Sequence, residues 1–137
     1  MNVPSDRAGR VRPWVGLAEE DFHIASHEME RVEDPSLVGI TFHAQQCVEK
    51  YIKALLVLHA VDFPSVHDLN ALMKLVPTSA GLVLKVEDVI SLNRFAVESR
   101  YPGAWEPPTR KEADGALEIA RKARDAVRTC LPAESLA

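Results

Sequence analysis

Ser36-Leu-Val-Gly-Ile-Thr-Phe-His-Ala-Gln-Gln-Cys-Val-Glu-Lys-Tyr-Ile-Lys-Ala-Leu-Leu-Val-Leu-His59 decides the fold class. At about 100° per residue, Ile40, Ala44, Cys47, Val48, Tyr51, Ile52, Leu55 and Leu58 share one broad arc. Gln46, Glu49, Lys50 and Lys53 fall opposite it. An apolar stripe backed by polar residues is the pattern of a helix packed on one side. Asp34-Pro35 or Ser36 supplies the start, since Asp and Ser cap well and Pro suits a first turn.

The same rhythm extends both ways along the chain. Val15, Ala18, Phe22, Ala25 and Met29 predict a first helix from about Trp14 to Val32, with an acidic outer face at Glu19, Glu20, Asp21, Glu28 and Glu30. Residues 1–13 are polar and end at Pro13, so a flexible N-terminal tail is expected there. After Phe63-Pro64, Ser65-Val-His-Asp68 reads as a capping-box-like start for a short helix through Leu69, Leu72, Met73 and Val76. A fourth helix is expected over about 82–99, stopped by Pro102-Gly103. Thr109-Arg-Lys-Glu112 is a full capping box for a last helix with Ala113, Ala116, Leu117, Ala120, Ala123 and Val127 inside and Arg110, Lys111, Arg121, Lys122, Arg124 and Arg128 outside. The expected fold is all-α, an antiparallel bundle of about five helices over residues 14–131, with a C-terminal tail at 132–137. An acidic first helix and a basic last one favour each other as antiparallel neighbours, although each surface pair contributes only ~0–1 kcal/mol.

Composition narrows the function classes. The chain has 137 residues, 47% hydrophobic and 26% charged, with a net charge of −4. That suits one folded domain and provides no global basic field for nucleic acid. Cys47 and Cys130 read as separate thiols, and no Cys/His spacing suggests zinc. No catalytic cofactor or metal is expected. No apolar core follows Arg7, Arg10 and Arg12, and no run is long enough to span a membrane. The expected location is cytoplasmic.

Three segments carry the chemistry: Ala44-Gln-Gln-Cys-Val-Glu-Lys-Tyr-Ile-Lys-Ala54, His67-Asp-Leu69 and Arg100-Tyr-Pro102. In this order they resemble the HEPN family, small helical bundles whose pattern reads Ala-Gln-Gln, two residues, Glu-Lys, two residues, Lys-Ala, then His-Asp-Leu, then Arg-Tyr-Pro. The resemblance covers about residues 14–130. It implies a bundle that often dimerises, with links to nucleotides or RNA and, in toxin–antitoxin pairs, to a small nucleotidyltransferase partner. Catalytic relatives resemble metal-independent ribonucleases that use an Arg, four to six residues, then His. Here none of His23, His27, His43, His59 and His67 has an Arg at that distance. The expectation is therefore a non-catalytic module that binds a nucleotide or a nucleotidyltransferase-like partner. The alternatives are an RNA-cleaving toxin with an atypical site and a structural homodimer without ligand.

Gln46, Lys50 and Lys53, spaced four and three apart, project from one helical face. With Arg100 and Tyr101 they form the expected nucleotide site, cations meeting phosphate and Gln and Tyr orienting the ligand. His67 and Asp68 form a secondary or structural site. Each residue also has a structural reading. Gln45 and Gln46 can bond a neighbouring loop, and Glu49 can pair with Lys53 along the helix. Asp68 suits a helix start, and Arg100 and Tyr101 can clasp a helix end. Val57 and Trp105 lie among polar or Pro-rich surroundings, and left-over apolar surface of that kind motivates a homodimer.

Overall fold

The structure, a computed structural model, describes residues 5–96 and 106–136. Its α-helices are α1 (Ser5–Met29), α2 (Leu37–Leu58), α3 (Leu69–Leu75), α4 (Val86–Ser91) and α5 (Arg110–Thr129). Short 3₁₀ turns follow α3 and α4, at Thr78–Ala80 and Leu92–Phe95, and another lies after α5 at Ala133–Ser135. Among the described residues there is no β-strand.

The long helix α2 lies at the centre, packed along α1 and α5 and touching α3 and the Leu92–Phe95 turn. Ser36 is its N-cap, the hydroxyl accepting from the Gly39 N–H at 3.0 Å. A Cβ on Gly39 would come within 2.9 Å of that hydroxyl, so glycine leaves room for the cap. Val48, Tyr51, Ile52 and Leu55 form the middle of the main core with Val15, Ala18, Leu72, Ala120 and Val127. α1 runs antiparallel to α2. Arg7 reaches the carbonyl of Leu58 at one end, and Glu28 accepts from the Ser36 N–H at the other.

Four expected boundaries move. The tail expected before Trp14 is helical from Ser5. Ala8 and Val11 continue the inner row of Val15, Ala18 and Ala25 and are buried, while Pro13 is exposed. Arg7 and Arg12 tie these turns to Leu58 and Glu134, so tertiary contacts carry the helix through a proline that alone favours a break. The expected C-terminal tail is docked too: Ser135 is buried and Leu136 packs against the core. The third helix starts at Leu69, not Ser65, because Asp68 is its N-cap. The fourth begins only at Val86. Before it, Leu82 and Leu84 face the core while Val83 is exposed, an alternation typical of extended chain.

The capping box of α5 forms in full, with Thr109 and Glu112 bonding each other's N–H groups at 2.9 and 3.1 Å. The charge complementarity of α1 and α5 becomes a clasp. Arg124 donates to both oxygens of Glu19, at 2.6 and 2.7 Å. Tyr51 of α2 donates to the same carboxylate and accepts from Arg128 at 3.1 Å. Burial by itself raises the pKa of Glu19, but the hydrogen bonds from Arg124 and Tyr51 and the two guanidiniums outweigh it and hold the carboxyl below its ordinary value. A carboxylate depressed on folding contributes stability above its unfolded pKa and loses it as pH falls through the folded value. The urea midpoint of the wild type should therefore drop as pH falls below about 4.3, and Glu19→Gln should make that drop shallower. Equal acid sensitivity in both proteins would remove the clasp from the acid response.

Candidate functional site

Because α2 is enclosed on several sides, part of its polar face is buried. Glu49 and Lys53 are only 3% and 6% exposed, and Gln45 is fully buried. Periodicity sets Glu49 and Lys53 opposite the core arc, yet Trp14 of α1, Phe63 and the chain leading to α3 lie over them. Buried polar atoms then need internal partners, and they have them. Gln45 Nε2 donates to the His67 carbonyl at 3.1 Å and lies 3.4 Å from Glu49 Oε1. Gln46 Nε2 donates to Gln45 Oε1 at 2.7 Å. Glu49 receives Lys53 Nζ on one oxygen, at 3.1 Å, and His67 Nδ1 on the other, at 2.9 Å. The Lys53 ammonium also lies 5.9 and 5.7 Å from the ring centroids of Trp14 and Phe63, within cation–π range.

A second network lies between α1 and α2. Asp21, expected on the acidic outer face of the first helix, is only 5% exposed. Its two oxygens meet His43 Nδ1 at 2.7 Å and Lys50 Nζ at 2.6 Å. Asp21 stands in the inner row between Ala18 and Ala25, spaced three and four residues from them, so its position was readable from the spacing. The two histidines share one chemistry. A carboxylate oxygen accepts, so the imidazole Nδ1 beside it donates, and Nε2 is the ring nitrogen not engaged by the carboxylate.

The expected site residues separate accordingly. Gln46, Lys50 and Lys53 share a face, but both cations already hold carboxylates. Arg100 and Tyr101 lie outside the described residues. His67 keeps its side chain half exposed over Glu49. Asp68 caps α3 and also accepts from Asn93 at 3.0 Å, while Asn93 accepts from the Leu69 N–H. The Leu92–Phe95 turn that carries Asn93 packs on α2. Buried Cys47 is a free thiol whose pKa is raised first by burial and then by Asp21 and Glu19, which makes it a poor nucleophile. Among the described residues, no three His, Cys, Asp or Glu side chains are grouped to hold a metal ion.

Two cavities lie in the groove between α1 and α2. One cavity of about 470 Å³ at the hairpin end is lined by Ile24, His27, Arg31, Gly39 and His43. Another of about 830 Å³ at the opposite end is lined by Arg10, Trp14, Val57 and Phe63. Sequence reasoning missed Trp14 and Phe63 as site residues, because an aromatic at a helix start and one before a proline look like ordinary core.

The family profile of the HEPN domain matches residues 11–130, and the chain belongs to that family. No curated protein and no solved structure matches it.

Removing one partner of a buried ion pair costs more than removing both, since the remaining charge loses its compensation. Lys53→Met should lower stability by about 3 kcal/mol, and adding Glu49→Gln should recover much of it. Chemical denaturation of the three proteins tests this. A Lys53→Met protein as stable as wild type would show that the pair is not coupled to folding.

Proposed function

We propose that this HEPN chain acts by binding rather than by catalysis: it forms a homodimer and engages a nucleotide or a small nucleotidyltransferase-like partner, as in a toxin–antitoxin pair, in the cytoplasm. The observation that carries the reading is the outer face of α1. Leu17 and Ile24 are 49% and 42% exposed. Seven residues apart, they leave the helix on one side. Val38 at the start of α2 is exposed as well, and the two grooves lie at either end of the same helix pair. Apolar surface of this kind on a helical hairpin suits a partner's helices, and a twofold pairing is the commonest arrangement. The nucleotide arm of the reading draws support from the family motif on α2 and from the aromatic and cationic groups at its C-terminal end. Among the described residues, no helix is long and apolar enough to cross a membrane.

Sedimentation at tens of micromolar should show a dimer. Leu17→Glu with Ile24→Glu should give a monomer with an unchanged unfolding midpoint. Monomeric wild type would overturn the homodimer, and binding to a purified nucleotidyltransferase partner by wild type but not by the double variant would assign the face to that partner.

One observation favours metal-independent RNA cleavage as a second reading. His43 and His67 are each held at Nδ1 by a buried carboxylate, an arrangement that orients a general base. Incubation with structured and single-stranded RNA in chelator should leave the RNA intact on the binding reading. Cleavage that disappears in His43→Gln or His67→Gln would replace it with the enzymatic one.

A further inference from the structure

We infer that the cavity between the first turns of α1 and the end of α2 is a mononucleotide site, with the base against Trp14 and Phe63 and the phosphate toward Arg10. The inference rests on the nucleotide reading above and moves its site away from Gln46, Lys50 and Arg100.

The cavity, about 830 Å³, falls within the ~300–1,000 Å³ common for small-molecule sites. Its shape follows from local structure. At Gly9 an added Cβ would meet nothing within 4 Å, so the α1 wall is low there. At the other wall α2 ends in a Schellman motif: the N–H groups of Ala60 and Val61 return to the carbonyls of Val57 and Leu56, at 3.1 and 2.9 Å. Ala60 sits in the left-handed region, with φ of 56°. That is costly for a residue with a Cβ, and such backbone strain concentrates at functional sites. The turn brings Phe63 back to Trp14, ring centroids 5.8 Å apart and planes at 76°.

The lining has the chemistry of a base and a phosphate. Trp14 and Phe63 are both half-buried and line the cavity, and aromatic rings in such a position stack with any base. The rings are kept in place by their mutual edge-to-face contact and by the buried Lys53 ammonium. Lys50 and Lys53 are spent on Asp21 and Glu49. Arg10 has a different status. Its ion pair with Asp6 is 3.7 Å long and exposed on both sides, an arrangement easily exchanged for a phosphate. Asp62 also lines the cavity. Its carboxylate repels phosphate and accepts from an exocyclic amine or ribose hydroxyl, which sets the direction of the ligand.

A free mononucleotide and the 5′-phosphorylated end of an RNA present the same groups, and the test separates them. The chain has two tryptophans, so Trp105→Phe leaves Trp14 as the sole indole reporter. That protein is titrated with AMP, adenosine and a 5′-phosphorylated tetraribonucleotide, with calorimetry on wild type in parallel. AMP should quench Trp14. Adenosine should bind about tenfold more weakly, and Arg10→Ala should erase that gap. Trp14→Ala should reduce affinity about tenfold or more, while Trp14→Phe retains most of it. The exposed Arg10 variant keeps the test valid if Trp14→Ala fails to fold. Tighter binding of the tetranucleotide with the same residue dependence supports the site and assigns it to RNA ends. Calorimetric binding that neither Trp14 nor Arg10 affects overturns this cavity and leaves the nucleotide reading standing. No binding of any probe up to millimolar overturns both.

Discussion

A helix enclosed on several sides must have its polar atoms satisfied by its neighbours, and that constraint governs α2. Glu49 and Lys53 are buried, and neither tolerates burial alone. They tolerate it together, with His67 taking the second carboxylate oxygen and Gln45 reaching the His67 carbonyl. The chain before α3 is thereby fixed to α2 by hydrogen bonds that apolar packing alone would not specify.

The same logic recurs around the helix. Asp21 of α1 is buried against Lys50 and His43, and Glu19 of α1 gathers Tyr51 from α2 and Arg124 from α5. Each of these three carboxylates ties its helix to another part of the chain. Non-directional apolar contacts stabilise the bundle, while these directional ones set which helix faces which. The consequence for function is that the most conspicuous cations of the motif helix are committed to the fold. The groove between α1 and α2 is lined instead by Arg10 and Trp14 at one end and by Ile24 at the other, while Leu17 is exposed on the outer face of α1.

Much of this was legible in the residues. The 3.6-residue rhythm specifies α2 and α5, the Thr109–Glu112 spacing specifies the α5 cap, and opposite charges anticipate the clasp of α1 with α5. The family follows from the motifs at Ala44–Ala54, His67–Leu69 and Arg100–Pro102. The site was less legible. Periodicity assigns a polar stripe to the outside of a helix, and it did so for Glu49 and Lys53, because nothing in one helix's own pattern says how many neighbours surround it. Proline at position 13 suggested a break, although Ala8 and Val11 already continued the inner row.

The sequence by itself determined the helical class, the main apolar faces, the cap at Thr109 and the membership of the HEPN family. These depend on local spacing and on the backbone preferences of single residues. Only the tertiary structure decided that α2 is central, that part of its polar face is buried and paired, and that Trp14 and Phe63 meet beside Arg10. Those facts depend on contacts between residues well separated in the chain, from 18 positions for Glu49 and His67 to 77 for Tyr51 and Arg128. Such contacts are set by the mutual fit of whole helices, which no window along a single helix contains.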